Sequence, residues 1–295
     1  MRALGEEYQV WRLAEPKTWQ ADFYRRPLQD ERGKILWELL ICDPSRNFVY
    51  VAQCPQSEAN SDWLASQLQT AAEGQLPDLI QVFRPQSVSL LEAASQKLEI
   101  PIEATRRTAA LKQELQQRAR NYPSLDNYTG ATYEPIKLEK PPPQALPEQL
   151  WGEQWRFVTL AAGDLEESFR DRPIPILEMP AALLPLNLQI ASTVKVPGVV
   201  IYGGRQSMQL ARWLEEAKPV ALNYVPTEVG KSGGLILEAG LVERWIVFTF
   251  EDPEVAKAAQ TYEQRKQSSQ GLHFLLIQPD DSGMTYSGFW LLREE

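Results

Sequence analysis

Apolar and polar positions in the first 120 residues alternate between short apolar runs and stretches with helical spacing. Residues 34–42 and 48–54 are apolar runs of strand length, and the turn-forming residues Asp43–Asn47 separate them, so a β-hairpin is predicted. Ser57 is placed to cap a helix that Gly74 ends. The pattern then predicts helix 57–73, strand 79–83, helix 87–98, strand 100–104 and helix 108–120. This order favours an α/β layer arrangement.

The second half of the chain again alternates between apolar runs of strand length and stretches with helical spacing, after a Pro-rich segment. Residues 121–150 hold six prolines, three of them consecutive, and such a stretch is extended and semi-rigid. We therefore predict an N-terminal domain at 1–122, a Pro-rich linker at 123–150 and a C-terminal domain at 151–295. A second Pro-containing stretch lies at 173–197. The C-terminal pattern predicts strand 155–160, strand 198–202, helix 207–217, strand 220–225, hairpin 234–250, helix 253–268, strand 272–278 and strand 286–292.

The two halves repeat part of their pattern. Glu38 and Glu238 occupy the same place in the first strand of each hairpin, and Pro55 and Pro253 each open a helix. Arg84 and Arg205 each follow a strand and precede a helix. The unit with Arg84 comes after the hairpin of its half, whereas the unit with Arg205 comes before its hairpin, so the order of elements is permuted. The fold class predicted is two mixed α/β domains, each with a hairpin-containing sheet flanked by helices. Duplication of one unit and convergent patterning both explain the repeat.

Composition narrows the classes of function. The 295 residues carry a net charge of −9, which argues against a protein that coats duplex DNA or binds membranes through basic residues. One histidine and two cysteines exclude a poly-His metal site, a zinc ribbon and a disulfide framework, and Cys42 and Cys54 are expected to be buried thiols. No window approaches 18 consecutive apolar residues, and residues 1–10 lack an export or transit pattern, so we expect a cytoplasmic protein without membrane insertion.

A local excess of positive charge interrupts this acidic chain. Residues 84–120 contain seven basic and four acidic residues, and Arg84, Arg106 and Arg107 stand where strands lead into helices. Arginine at a helix N-terminus is suited to phosphate, so these residues are candidate phosphate contacts, with an ordinary solvated helix surface as the alternative. Arg205, in the turn 203–207, could contribute in the same way. The loop 230–234 lacks the spacing of a phosphate-binding ATPase loop, and a tight turn at 232–234 explains its glycines better.

Residues suited to catalysis are scarce. His273 lies in a predicted strand, where a hydrogen-bonded structural histidine is expected, and neither a G-x-S-x-G motif nor an activated cysteine accompanies it. The carboxylates Asp22, Glu38, Asp43 and Glu238 lie near strands and could form a metal-dependent nuclease site, but they lack the compact acid-x-acid-x-Lys pattern. We therefore expect a protein that is not an enzyme and holds no metal or cofactor, with the nuclease as the alternative.

Aromatic side chains are the most abundant groups in this chain that could bind a nucleic-acid base. Bases stack on aromatic faces without a need for net positive charge. Most of the aromatic side chains in strands are expected to be core, with one or two facing solvent. Eight lie in predicted strands of the second half: Trp155, Phe157, Trp245, Phe248, Phe250, Phe274, Phe289 and Trp290.

Several segments together resemble a known family. They include residues 19–27 (WQADFYRRP), 34–43 (KILWELLICD), 82–85 (VFRP), 105–108 (TRRT), 146–157 (LPEQLWGEQWRF), 271–274 (GLHF), 277–280 (IQPD) and 287–292 (SGFWLL). The chain resembles the Tab2/Atab2 family of RNA-binding translation factors of chloroplasts and cyanobacteria. The resemblance implies a non-catalytic protein that binds single-stranded A/U-rich RNA in an mRNA untranslated region and promotes expression of photosystem proteins, photosystem I among them. A scaffold that binds translation or photosystem-assembly proteins is the alternative. No transit extension precedes the matching region, which is expected of a cyanobacterial member.

The resemblance also assigns RNA binding to the C-terminal Trp290-Leu291-Leu292. Trp290 is suited to stack on a base. Because Leu291 and Leu292 alternate on a strand, one of them is expected to face the core. Loss of all three side chains could then abolish binding through disruption of the last strand. The predicted RNA-binding residues are therefore Trp290, Leu291, Leu292, Arg84, Arg106, Arg107 and Arg205.

Overall fold

The computed structural model describes residues 16–293 and confirms a mixed α/β fold. The chain divides into two compact units between Lys137 and Leu138, inside the predicted Pro-rich segment. Unit 1 contains strands β1 (Thr18–Gln29), β2 (Ile35–Cys42), β3 (Val49–Pro55), β4 (Leu79–Val82) and β5 (Ile102–Ala104), with helices α1 (Ser61–Ala72), α2 (Pro85–Gln96) and α3 (Ala109–Asn121).

One five-stranded sheet organises unit 1, in the order β3-β2-β1-β4-β5. The first three strands are antiparallel, whereas β1, β4 and β5 are parallel. The sequence pattern did not predict β1, because Asp22 and Arg26 interrupt its apolar run. Both are nevertheless buried as ion-paired side chains. Helices α1 and α2 pack on one face of the sheet around Phe23, Leu39 and other apolar side chains.

Helix α1 begins later than predicted. Ser57 lies in a 3₁₀ turn, and the cap is Asn60, whose Oδ1 accepts hydrogen bonds from the backbone N–H groups of Asp62 and Trp63. An asparagine oxygen placed this way satisfies two of the amides that a first turn leaves unpaired. The first exposed turn of α1 therefore starts at Ser61 and carries Trp63.

Unit 2 contains two sheets. Their strands are β6 (Gln144–Ala145), β7 (Gln154–Ala161), β8 (Ile176–Glu178), β9 (Lys195–Tyr202), β10 (Pro219–Glu228), β11 (Ser232–Ala239), β12 (Glu243–Phe250), β13 (Leu272–Gln278) and β14 (Gly288–Arg293). The five-stranded sheet has the order β7-β9-β13-β14-β8, and the four-stranded sheet has the order β10-β11-β12-β6. The helices are α4 (Ala162–Phe169), α5 (Ser207–Ala217) and α6 (Pro253–Ser268). The prediction omitted α4, β6 and β8, which are short or lie in Pro-containing segments.

Both faces of the five-stranded sheet are covered. Val199 and Leu275 belong to a core that includes residues of α5, α6 and the four-stranded sheet, whereas Val200 and Leu276 belong to a second core with residues of α4. A sheet buried on both faces needs apolar residues at consecutive positions, which explains why every residue of β13 is buried.

The Pro-rich segment packs on the units at both of its ends. In unit 1, Tyr128 forms a β-bridge with Leu28, and the hydroxyl oxygen of Tyr133 accepts a hydrogen bond from Arg26 Nη1 at 2.7 Å. In unit 2, β6 pairs with β12, and Leu146 and Leu150 enter the core. No helix among residues 16–293 is long and apolar enough to cross a membrane.

The repeat between the halves extends to element order but not to strand pairing. The series β2-β3-α1-β4 matches β11-β12-α6-β13. However, β4 joins the sheet of its own hairpin through β1, whereas β13 pairs with β9 in the other sheet. The turn that joins β10 to β11 lies at 229–231, with Gly230 at φ +76°. The predicted turn at 232–234 is therefore wrong. Gly233 is the second residue of β11, where a Cβ would lie 2.8 Å from the carbonyl oxygen of Val225.

Candidate nucleic-acid interface

Four strands of unit 1 point their carboxyl ends to one edge of the sheet. Strands β1, β4 and β5 are parallel, and β3 runs in the same direction because both β1 and β3 are antiparallel to β2. Helices α1, α2 and α3 all begin at this edge. The predicted phosphate contacts Arg84, Arg106 and Arg107 therefore lie at one edge of unit 1, which we call the carboxyl edge.

Arg84 is at this edge but is buried. Its Nε donates to Asp22 Oδ1 at 2.8 Å, and its Nη2 donates to the carbonyl oxygen of Pro135 at 2.5 Å. Its guanidinium also lies 4.5 Å from the ring centroid of Tyr24 and 5.0 Å from that of Phe83. The group that was predicted to face phosphate is thus committed to packing and to a carboxylate, and only 4% of the residue reaches solvent.

Asp22 and Glu38 belong to a buried cluster with three arginines. Arg26 Nη2 is 2.9 Å from Asp22 Oδ2 and its Nε is 3.3 Å from Glu38 Oε1, while Arg118 donates to both Glu38 oxygens at 3.0 and 2.6 Å. Tyr133 lies on the other side of Arg26, at 2.7 Å from Nη1. Burial opposes ionisation of Glu38, but the hydrogen bonds from Arg118 and the charge of Arg26 outweigh it and hold the pKa below its usual range.

This cluster bears on the nuclease alternative. Asp22 and Glu38 were candidates for a metal site, and the structure places them on neighbouring strands, but Arg26 forms ion pairs with both of their carboxylates. Glu238 is in unit 2, where Lys140 Nζ is 2.8 Å from both of its carboxylate oxygens. Within residues 16–293, no group of three or more histidine, cysteine or acidic side chains is placed to hold a metal ion.

Arg106 and Arg107 differ from Arg84 in their exposure. Arg106 is half-buried, Arg107 is exposed, and Arg107 forms no ion pair with any described residue. Gln20 organises the turn beneath them: its Oε1 accepts the N–H of Leu111 at 3.0 Å and its Nε2 donates to the carbonyl oxygen of Arg107 at 3.4 Å. Lys112 Nζ donates to the carbonyl oxygen of Arg106 at 2.7 Å, and burial together with the charge of Arg106 lowers the pKa of Lys112 to about 8.

A group of aromatic side chains lies at the same edge, and the sequence pattern did not point to it. Trp37 and Trp63 are half-buried and pack on the buried ring of Phe23, with centroid distances of 5.2 and 5.6 Å. Tyr24 meets Trp37 edge-on at 6.1 Å, and the exposed Arg25 lies 5.8 Å from the centroid of Tyr24. These residues come from β1, β2 and α1. In the sequence, the adjacent Tyr24 and Arg25 could have indicated a nucleic-acid contact. Only the folded structure shows that the two tryptophans lie beside them.

The turn that carries Arg205 has two backbone amides that are not available to a phosphate. The N–H groups of Gly203 and Gly204 donate to the carbonyl oxygens of Gln278 and Pro279 at 2.8 and 3.0 Å. Backbone amides that are already bonded cannot cradle a phosphate. Arg205 itself is exposed in unit 2, so a phosphate contact there would depend on its side chain.

The predicted RNA-binding tripeptide lies wholly in the interior of unit 2. Trp290 and Leu292 point into one core of the five-stranded sheet and Leu291 into the other, and each is at most 2% exposed. One leucine was expected to face the core, and both do, because this sheet is covered on both faces. The ring of Trp290 also lies so close to Gly288 that a Cβ there would be 2.4 Å from it. None of the three side chains offers a surface to a base in this fold.

The other aromatic residues that lie in strands of unit 2 belong to its core or pack against it, whereas Trp151, which lies outside the strands, is exposed. Phe274 and Phe289 are buried, and the ring of Trp155 is stacked on Phe248 at 4.7 Å and lies 5.8 Å from Phe250. This half-buried group is followed in the chain by Glu251 and Asp252. Residues 138–295 carry 21 acidic and 14 basic residues, against 15 and 14 in residues 16–137, so the surroundings are less favourable to phosphate than those in unit 1.

The residues considered for other chemistry are structural. His273 is buried, its Nε2 accepts the N–H of Leu222 at 2.8 Å, and its Nδ1 contacts the carbonyl oxygen of Gly271 at 2.8 Å. Burial and the charge of Lys266 lower the pKa of His273 to about 3. Burial raises the pKa of Cys42 to about 12 and that of Cys54 to about 11, and both are free thiols.

Comparisons with known proteins agree with the resemblance read from the sequence. Two family profiles match, described as the N-terminal region and the C-terminal domain of the RNA-binding protein Tab2/Atab2, over residues 18–118 and 133–293. The chloroplastic TAB2 homologue of Arabidopsis thaliana is 31% identical over 94% of this chain and 74% of its own length. The Zea mays homologue is 29% identical over 94% of this chain and 72% of its own length.

Solved structures give a weaker likeness. The catalytic core domain of the HTLV-2 integrase in complex with magnesium, in a dimeric and a trimeric form, is 17% and 16% identical, with TM-scores of 0.27 and 0.26. The likeness covers 40% and 38% of this chain and 82% and 78% of those chains, and at such TM-scores it carries no argument about fold or activity. The family assignment rests on the profiles and the plant relatives, which span nearly all of the described residues, and the chain belongs to the Tab2/Atab2 family of RNA-binding proteins.

Proposed function

We propose that this chain is a non-catalytic protein that binds single-stranded A/U-rich RNA in an mRNA untranslated region and promotes translation of photosystem proteins, those of photosystem I in particular. The observation that carries the proposal is the composition of the carboxyl edge of unit 1. Arg107 is exposed there without a carboxylate partner among the described residues, beside Arg106 and Lys112. A phosphate backbone needs such cations more than it needs a favourable net charge.

The buried acidic residues support a non-catalytic role. Metal-dependent cleavage of RNA requires carboxylates that are free to bind a cation. Arg26, Arg84 and Arg118 already compensate the charges of Asp22 and Glu38, so these carboxylates are not free to bind a cation. Purified protein incubated with Mg²⁺ or Mn²⁺ should therefore leave labelled RNA intact, and cleavage that survives further purification would refute this part of the proposal.

Equilibrium binding tests the RNA partner. Fluorescence anisotropy with a labelled A/U-rich single strand should show binding that weakens as salt rises, with a slope of about −0.7 for each phosphate contact. A G/C-rich single strand and duplex DNA of equal length should bind less tightly. Equal affinity for duplex DNA, or no dependence on salt, would overturn the proposal. Arg107→Gln should weaken binding to all single strands and reduce the slope of the salt dependence by the amount expected for one phosphate contact. Arg212→Gln, which changes an exposed arginine of unit 2, is the matched control.

The cellular partners follow from the same proposal. Capture of the protein from a cyanobacterial lysate should recover a photosystem transcript, and fractionation should place the protein in the cytoplasm. Protein partners of translation or photosystem assembly should be lost after RNase treatment. If they persist after RNase and no transcript is enriched, the scaffold alternative is the better description.

A further inference from the structure

We propose that the bases of a single-stranded RNA stack on Trp37 and Trp63 at the carboxyl edge of unit 1, beside Arg25. We call these residues together with Tyr24 the edge cluster. The inference rests on the proposed RNA binding but assigns base recognition to a site in the N-terminal unit that the sequence pattern did not indicate. It leaves the C-terminal tripeptide a structural role.

Three elements hold the edge cluster in place. Phe23, which is 0% exposed, lies beneath both tryptophans: its ring is 28° from the plane of Trp63 and 44° from that of Trp37. Trp63 stands in the first turn of α1, which Asn60 caps, and Trp37 lies opposite Arg25 in the β1–β2 ladder. Each indole is therefore supported on one side by the core while part of it remains in solvent. A rigid, half-exposed aromatic ring loses little freedom when a base stacks on it.

The charges around the edge cluster favour a polyanion. Arg25 is exposed and forms no ion pair within residues 16–293. The acidic residue next to Trp63 in the sequence is the exposed Asp62, whose carboxylate is 2.5 Å from Lys97 Nζ, so the two side chains together add no net charge beside the cluster. Tyr24 lies between two guanidinium groups, those of Arg25 and the buried Arg84, which hold its ring in place. The cluster thus combines aromatic surface with a free cation, the combination that single-stranded nucleic acid requires.

A continuous series of contacts connects the edge cluster to the phosphate-contact residues. From Tyr24 the series passes to Arg84, and from Arg84 to the ring of Phe83 at 5.0 Å. Lys112 contacts the same ring at 5.9 Å and bonds to the carbonyl oxygen of Arg106. These contacts pass through the buried Arg84 and Phe83, and they place the edge cluster and Arg107 at the same carboxyl edge of unit 1, where one strand of RNA would reach both.

The test compares substitutions that keep an apolar side chain. Trp63→Leu and Trp37→Leu should each weaken binding of a U-rich oligonucleotide about 5- to 150-fold, the range expected for loss of one base stack. Trp63→Phe should retain most of the affinity. Trp151→Leu is the matched control, because Trp151 is 54% exposed in unit 2 and outside the cluster. An oligonucleotide with abasic positions should bind more weakly to the wild type and show little further loss with Trp63→Leu, whereas Arg25→Gln should weaken binding to both oligonucleotides.

Photo-crosslinking of the wild-type protein tests the same site without substitutions, so it remains informative if a variant does not fold. A 4-thiouridine-containing oligonucleotide should crosslink to the peptides that carry Trp37 or Trp63, and mass spectrometry would locate the site. If the wild type binds RNA but folded Trp→Leu variants bind as tightly, or crosslinks fall only in unit 2, the edge cluster is not the base site and the proposed function stands. If the wild type does not bind RNA, both proposals fail.

Discussion

Substitution of Trp290 by alanine should destabilise unit 2 and lower RNA binding only through loss of folded protein. The indole is 2% exposed, lies against Gly288 and fills a core formed by residues of both sheets and two helices. Removal of a buried tryptophan side chain costs about 3–5 kcal/mol. For a unit of this size, each kcal/mol lowers the melting temperature by about 2–4 °C, so the transition should fall by about 6–20 °C.

The full tripeptide substitution should be more severe. Leu291→Ala and Leu292→Ala each remove a buried side chain at about 2–5 kcal/mol, and the three changes together cost about 7–15 kcal/mol, which equals the whole stability of a typical domain. Leu186→Ala is the matched control, because Leu186 is 83% exposed and should cost less than about 0.5 kcal/mol. Thermal unfolding followed by circular dichroism, with RNA binding measured well below the transition, separates the two effects. A Trp290→Ala protein with unchanged melting temperature and no RNA binding would refute the structural role.

Three further predictions concern buried groups. Asp22→Asn leaves Arg26 and Arg84 with less compensating charge and should destabilise unit 1 by about 3–5 kcal/mol in urea unfolding; a loss below about 1 kcal/mol would contradict the arrangement. The pKa of His273 is lowered from 6.5 to about 3, so the unfolded chain binds a proton that the folded chain does not, and stability should fall by up to about 1.4 kcal/mol per pH unit as the pH drops below 6.5. Because the chain has one histidine, a constant stability between pH 7 and 5 would disprove this. Cys42 and Cys54 should not react with a thiol reagent at pH 8 until the protein is unfolded, and labelling of the native protein would contradict their burial.

The bounds of helices and strands were predicted best where a regular hydrophobic pattern begins or ends at a capping or turn-forming residue. Helices α5 and α6 and strand β13 have the predicted bounds, 207–217, 253–268 and 272–278. Asp252 shows why, since its side chain accepts the N–H of Glu254 and the following proline fits the first helical position. Strand β1 was missed for the opposite reason. Its polar residues are buried, and burial of an aspartate is favourable only because Arg26 and Arg84 reach it, the latter from 62 positions away.

The candidate interface depends still more on tertiary contacts. The local sequence places Arg84 and Arg107 in equivalent strand-to-helix junctions, but Asp22 draws one of them into the interior and no described carboxylate meets the other. Likewise, Trp37 and Trp63 are 26 positions apart, and their common support on Phe23 exists only once α1 packs on the sheet. Pairing and exposure, not residue type, decide which arginines and aromatics are available.

The same distinction explains how an acidic chain can present a surface suited to RNA. Asp22 and Glu38 are paired with Arg26, Arg84 and Arg118, which sets two negative charges against three positive ones, so this cluster places no acidic excess beneath the carboxyl edge. Asp62 is likewise paired with Lys97. Arg25 and Arg107 remain exposed at the carboxyl edge without such partners among residues 16–293, while the larger acidic excess belongs to residues 138–295. The potential that an RNA phosphate meets is set within about one Debye length, roughly 8 Å at physiological salt, so the local arginines outweigh the charge of the chain as a whole.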